Sequence, residues 1–418
     1  MALFLTEEEK AILNGEQGEA RQFAMEVLTS VATSCNAKRL IPVQSVHLVL
    51  HTYKSCFDAG VEAAEKIAAM GAKFTVPTTI DPYGMDAEDW KEAKTPDHYA
   101  EMQIRLANAI MSMGVIPYWT CTPYYGFTVP RFGEHLAWTE SSAVAFANTV
   151  IGARSNRETA IVDVCCAIVG RTVETGLHLQ ENRYGEVHIE LKYDRPLSQW
   201  EYGALGFRLG KLLGNRIGVV TGMQGEPTHE NLKTLCAAGA ASGSIALLHI
   251  VGITPEARTY EEAFGPNKPT ETISITEEDM LQTRAEMNTH RGENVDLIAV
   301  GCPQYTINEI VGIRDMLAGR KVSPSVQFWI YANSFAIAMA ERMGIRKELE
   351  DAGVTIRAET CMIISPIHEW GFKVIMTDSG KCVHYGPMEC NAAMVFGSTE
   401  ECVEAAVAGR VLSEGEIA

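Results

Sequence analysis

From Val46 onward, short apolar or β-branched runs alternate with stretches of helical periodicity, and nothing else in the chain limits its fold so strongly. The runs VHLVL (46–50), KFTVPTTI (73–80), GVIPYWT (114–120), AIVDVCCAIVG (160–170), GEVHIELKY (185–193), IGVVTG (217–222), SIALLHIVG (244–252), VDLIAVG (295–301), VQFWIY (326–331), GVTIRAET (353–360) and FKVIMTD (372–378) read as strands. Helical patterns stand between them. Thr6 and Glu9 form a capping box, and Ala20, Ala24, Val27, Leu28 and Val31 share one helical face. Further patterns run through Val61–Met70, Met102–Met113, YGALGFRLGKLLG (202–214), HENLKTLCAAGAAS (229–242) and TEEDMLQTRAEM (276–287). A last helix, ECVEAAVAG, is capped by Ser398 and Glu401. The charged segment 254–269 reads as a connection. Continuous apolar strands joined by helical crossovers predict α/β layers with mostly parallel sheets, because parallel neighbours need a crossover and bury both faces. At 418 residues the chain is long enough for three such units, predicted at 1–160, 161–268 and 269–418.

Composition narrows the function. The formal charge is −18 and no stretch is rich in Lys or Arg, so nucleic acid and anionic membrane surfaces are poor partners. The N-terminus MALFLTEEEK lacks a basic region and a long apolar core, and no apolar run reaches spanning length. The eleven cysteines do not follow the close spacings of a disulfide framework, and there is no CxxC. A reducing cytoplasmic location is expected, where cysteines at strand ends are free to bind metal or to act as nucleophiles.

Three cysteines share one setting. Cys121 ends GVIPYWT and precedes Thr122-Pro123; Cys302 ends VDLIAVG and precedes Pro303; Cys361 ends GVTIRAET, with Pro366 beyond. Ligands gather at the carboxyl ends of strands in open α/β sheets, so these thiols can converge. Three thiolates suit iron or zinc and leave a coordination position for substrate. The other reading is a small residue tolerated at each strand end, and filler is the expectation for Cys165, Cys166, Cys236, Cys382, Cys390 and Cys402.

The run between Cys121 and Glu158 is the most polar-loaded loop of the chain. Thr139, Ser141 and Ser142 open an apolar helical pattern that runs out at Gly152, and Arg154, Ser155, Asn156 and Arg157 follow. Two guanidiniums with two short polar groups suit a carboxylate, so these four, with Ser141 at the helix start and Ser45 by the first buried strand, are predicted to bind substrate. Gly176–Arg183 reads as a hydrogen-bonded turn. Lys381, after FKVIMTD, is a candidate base or anion anchor, and Ser142 a second candidate catalytic group.

Together TCTPYYG (120–126), ESSAVAFANTVIGARSNRE (140–158), GCP (301–303), ETCMIISPI (359–367) and TDSGK (377–381) resemble the large subunit of the aconitase X family over essentially the whole chain. The resemblance implies an aconitase-like fold of three α/β domains and hydro-lyase chemistry on a small carboxylate. It implies Cys121, Cys302 and Cys361 as ligands of iron, as a [2Fe–2S]-type cluster or a single ion. It further implies a fourth, swivelling domain supplied as a separate small subunit, since the sequence ends at Ala418, soon after the last helix. Of the family's two activities, the stretch 381–410 is more similar to members that dehydrate cis-3-hydroxy-L-proline to 1-pyrroline-2-carboxylate than to those that dehydrate mevalonate 5-phosphate. Asp378 stands where many relatives carry Asn. Two rival readings remain: a non-catalytic subunit that binds an anionic metabolite, and a zinc-dependent hydrolase.

Overall fold

The computed structural model describes residues 3–49 and 52–416. Leu50, the end of the expected run from Val46, and Met1, Ala2 and Ala418 lie outside them. The N-terminal third holds β1 (Leu40–Pro42), β2 (Val46–Leu48), β3 (Thr78–Ile80), β4 (Ala137–Trp138) and β5 (Arg171–Val173). β2 pairs in parallel with β3 on one side and β4 on the other, while β1 and β5 form a separate antiparallel ladder. Next come β6 (Val187–Leu191), β7 (Gly218–Thr221), β8 (Leu248–Ile250) and β9 (Glu271–Ile275), parallel throughout in the order β8-β7-β6-β9. The C-terminal third carries β10 (Leu297–Tyr305), β11 (Gln327–Ala332), β12 (Val354–Ala358), β13 (Val374–Thr377) and β14 (Ala393–Phe396), parallel in the order β12-β11-β10-β13-β14.

The last two sheets start in the middle, step outward on one side and then cross to the other. Strand order therefore reverses between β6 and β9 and between β10 and β13. Crevices for ligands open at the carboxyl ends beside such reversals. β10 is buried along all nine residues, as a strand covered by helices on both faces must be.

Several expectations are corrected. AIVDVCCAIVG is not a strand but the helix Ala160–Val169, closed by Gly170 in the left-handed region. Eight of its ten residues are buried, and a helix covered on nearly every side shows no periodicity that would separate it from a strand. Of KFTVPTTI only β3 pairs in a sheet, and GVIPYWT is extended with a single parallel bridge, Trp119 to Ile80. The connection 254–269 includes a helical turn, Tyr260–Phe264. The edge strand β9 was not foreseen, because its polar, largely exposed residues give no apolar run.

The helices Gln199–Leu213 and His229–Gly243 pack unusually close. A Cβ on Gly243 would fall 1.7 Å from the Gly210 carbonyl oxygen, which explains the small-residue composition seen in both. One apolar cluster runs through all three thirds, including Trp138 and Phe146, Ile189 and Leu248, Leu297 and Phe396. Arg183 is buried between the first two thirds, paired with Glu256 and donating to Asn148 Oδ1 and the Ala153 carbonyl. Among the described residues, no helix is long and apolar enough to cross a membrane.

Candidate active site

Carboxyl ends of strands from the first and third sheets meet around a cavity of about 410 Å³. Asp81 follows β3, Thr139 to Ser141 follow β4, and Cys121 follows the segment bridged to Ile80. Cys302 comes from β10, Cys361 from just past β12, and Lys381 from the helix Gly380–Glu389 after β13. The structure thus brings together the three cysteines singled out in the sequence. Grooves of about 670 and 510 Å³ lie elsewhere and carry no cysteine, so chemistry rather than size picks out this cavity.

Local structure explains the placement. Gly301 has φ +96°, and a Cβ there would stand 2.3 Å from the Tyr331 carbonyl oxygen, so only glycine lets β10 lie this close to β11 before Cys302. Ser379 caps its helix through the Cys382 N–H at 3.0 Å and donates its hydroxyl to the Cys302 carbonyl. The Gln304 N–H donates to Cys121 Sγ at 3.3 Å, and the thiols of Cys302 and Cys361 hydrogen-bond to each other.

Lys381 forms a buried ion pair with Glu140, 241 residues away in sequence. Burial opposes the charge of both groups. Their mutual attraction more than offsets it, holding Lys381 well above and Glu140 below the ordinary value. Ser142 donates to Glu140 Oε1 at 2.8 Å, so its hydroxyl serves the carboxylate from behind. Ser141, not Ser142, lines the cavity. Lys54 enters from the helix Tyr53–Ala69 and donates to the carbonyls of Ile363 (2.6 Å) and Glu389 (2.9 Å), with the Glu389 carboxylate 3.3 Å away. Asp81 is pushed well above the usual carboxylate range by burial and by Glu140 nearby. Its Oδ1 has no hydrogen-bond partner among the described residues.

The predicted anion-binding turn makes its contacts away from the cavity lining. Arg154 bonds the His178 carbonyl and faces Glu256 at 3.6 Å. Ser155 Oγ accepts the Trp138 N–H at 3.0 Å, and Asn156 bonds the Thr175 carbonyl and the Leu177 N–H. Ser45 Oγ is buried and accepts the Trp138 indole N–H at 3.1 Å. None of these four lines the cavity; they hold the turn in place. Only Arg157 comes near it, exposed yet within electrostatic reach of Glu140 and Tyr385. Asp81, Lys54, Ser55, Tyr385 and Glu389 line the wall and were missed. Asp81 alone had a usable signal, a carboxylate straight after a buried run.

Sequence profiles described as the first, third and second domains of aconitase X match residues 2–181, 295–408 and 185–285. The chain belongs to the aconitase X family. Aconitase X from Thermococcus kodakaraensis, solved in its holo-form, superposes with a TM-score of 0.88 at 36% identity, covering 97% of this chain and all of the other. A phosphomevalonate dehydratase large subunit of Methanocaldococcus jannaschii is 38% identical over 96% of this chain and its own full length. A cis-3-hydroxy-L-proline dehydratase of Pseudomonas aeruginosa is 34% identical over 96% of this chain and 70% of its own. These relatives are dehydratases, and the chain is a hydro-lyase of the aconitase X fold.

An aconitase X family resemblance implies iron, and the residues can be tested against it. No three His, Cys, Asp or Glu side chains among the described residues stand at separations that hold an ion. In kind and location the donors do fit. Three buried sulfurs open on one cavity, two of them in contact, and the unpartnered Asp81 Oδ1 and Thr139 Oγ1 belong to residues of the same wall. Burial pushes the Cys121 thiol up; Cys302 and burial push Cys361 up; and for Cys302 the lowering by its bond to Cys361 is outweighed by the neighbouring Cys382 and burial. A bound cation reverses that preference, because thiolates are the metal-binding form.

Proposed function

We propose that the chain is the large subunit of an iron-dependent dehydratase acting on cis-3-hydroxy-L-proline, with Cys121, Cys302 and Cys361 holding the iron and a small swivelling subunit completing the site. The observation that carries the substrate is the pairing of charge on the wall. Both lysines are already matched with carboxylates, Lys381 with Glu140 and Lys54 with Glu389. A zwitterion suits such a wall, its ring ammonium toward Glu389 and its carboxylate toward Lys381. A phosphorylated dianionic tail asks for ammonium groups that are not so committed.

The overall change removes the Cα proton and the C3 hydroxyl as water, leaving an enamine that tautomerises to 1-pyrroline-2-carboxylate. Iron, when bound, supplies Lewis acidity toward the substrate's carboxylate and hydroxyl oxygens. Lys381, fixed by Glu140, stabilises the negative charge that spreads onto the carboxylate as the Cα–H bond breaks. Asp81, kept protonated at Oδ by burial, donates a proton to the departing hydroxyl. Ser141 lies on the wall to orient the substrate, and we assign the base to the small subunit. Arg157, within electrostatic reach of Glu140 and Tyr385, adds positive charge near the site.

Mevalonate 5-phosphate is the second reading, favoured by 37–38% identity to archaeal large subunits over 92–99% of this chain. Co-expression with a small subunit, followed by assay of both compounds, separates the two. Turnover of the hydroxyproline with kcat lowered in Asp81→Asn supports the proposal. Turnover of the phosphorylated compound alone overturns it. Wild-type protein that takes up no iron removes the lyase mechanism altogether.

A further inference from the structure

Gln304 is one residue past the proline that follows Cys302, and neither its type nor its place marks it in the sequence. Its side chain is fully buried. Its amide Nε2 donates to the Trp119 carbonyl at 3.4 Å and to the Thr360 carbonyl at 3.1 Å. Trp119 lies two residues before Cys121, and Thr360 immediately precedes Cys361. The backbone N–H of Gln304 donates to Cys121 Sγ itself at 3.3 Å. Its backbone carbonyl accepts from Lys233 at 3.1 Å, on the helix His229–Gly243 of the second domain, and Lys233 pairs there with Glu309. One residue thus ties together the three segments that carry the cysteines and anchors them to the remaining domain.

The arrangement has a cost. Gln304 Oε1 is buried without a hydrogen-bond partner among the described residues. The two carbonyls facing Nε2 fix the orientation of the amide, since turning it over would set oxygen against oxygen. A buried acceptor left bare is destabilising. A glutamine kept only for packing gains nothing over an apolar side chain of the same length.

We infer that Gln304 is a positioning residue for the metal centre, holding the Cys121 and Cys361 segments at the spacing their sulfurs need around iron, and supplying the N–H that tunes Cys121. The inference rests on the proposed iron site. Groups in this outer position change metal affinity by roughly 10- to 100-fold when removed.

The test uses the full chain reconstituted anaerobically with ferrous iron, with and without sulfide. It reads iron per chain, affinity by competition with a chelator, and sulfur-to-iron charge-transfer absorption. Gln304→Met keeps the length and loses both side-chain hydrogen bonds. Its expected outcome is a native circular dichroism spectrum, iron affinity lowered at least about tenfold and a shifted charge-transfer band. Gln304→Asn, which keeps the amide on a shorter arm, is expected to fall between. Iron affinity and absorption equal to wild type in Gln304→Met overturn the inference, since a merely structural glutamine moves the melting temperature but not the metal. If Gln304→Met does not fold, Gln304→Asn decides alone: weakened iron binding supports the inference and wild-type binding overturns it. Wild-type chain that binds no iron overturns the proposed function and the inference together, an outcome distinct from equal binding by both proteins.

Discussion

At the scale of single residues, the pair formed by Lys381 and Glu140 carries the sharpest consequence. Both are buried and each keeps the other charged. Removing one partner strands the other without water or counter-charge, at a cost of about 3–5 kcal/mol. Glu140→Gln is therefore expected to lower the denaturation midpoint strongly, and adding Lys381→Met to recover most of that loss. Turnover is expected to stay absent in both, which separates stability from chemistry; recovery of activity in the double variant would remove Lys381 from the mechanism. The cysteines and Lys381 were legible in the sequence because each follows a strand-like run. Glu140, which caps its own helix, carries no such signal. Its bond to Lys381 spans two domains, and no local pattern records such a partner. The Arg-Ser-Asn-Arg turn shows the opposite limit. The sequence shows polar groups but not which are already satisfied, and Ser155 and Asn156 are used by the loop's own backbone.

At the scale of elements, β10 does the positioning. Its register on β11 shifts between Val300 and Tyr305, and Gly301 sits inside that irregularity with φ +96°. Gly301→Ala meets both a forbidden backbone region and the Tyr331 carbonyl, a strain of roughly 1–3 kcal/mol. Loss of stability in that range is expected in chemical denaturation, with a larger fractional loss of activity because Cys302 is displaced. An alanine variant with unchanged stability and turnover would show that β10 can yield there. Strand β10 was predictable from its unbroken apolar run, and so were the capped helices that begin at Glu7 and Thr399. The helix Ala160–Val169 was not, because wrapping it in core on nearly all sides erases the polar stripe that marks a helix. β9 escaped for want of any apolar signal at a solvent-facing edge.

At the scale of the molecule, burial of neutral imidazoles contributes to the response to acid. Burial lowers His47 to about 4 and His178 to about 3, both below the ordinary 6.5. The unfolded chain takes up these protons as pH falls through 6.5 while the folded chain refuses them. Stability is thus full above 6.5 and declines as pH falls toward 4, by about 3 kcal/mol for His47 alone. Chemical denaturation between pH 7 and 4 is expected to show this slope, and His47→Asn to flatten it; an unchanged slope in that variant would place the acid sensitivity elsewhere. The cavity itself has one further property. Its two sides are built on separate sheets, joined across the gap by contacts such as Lys54 with the Ile363 and Glu389 carbonyls. A vise of this kind is adjusted at the screw rather than the jaws. Changes at remote hinge contacts can therefore widen or narrow the opening and shift which molecules are accepted, while every group that performs the chemistry stays as it was.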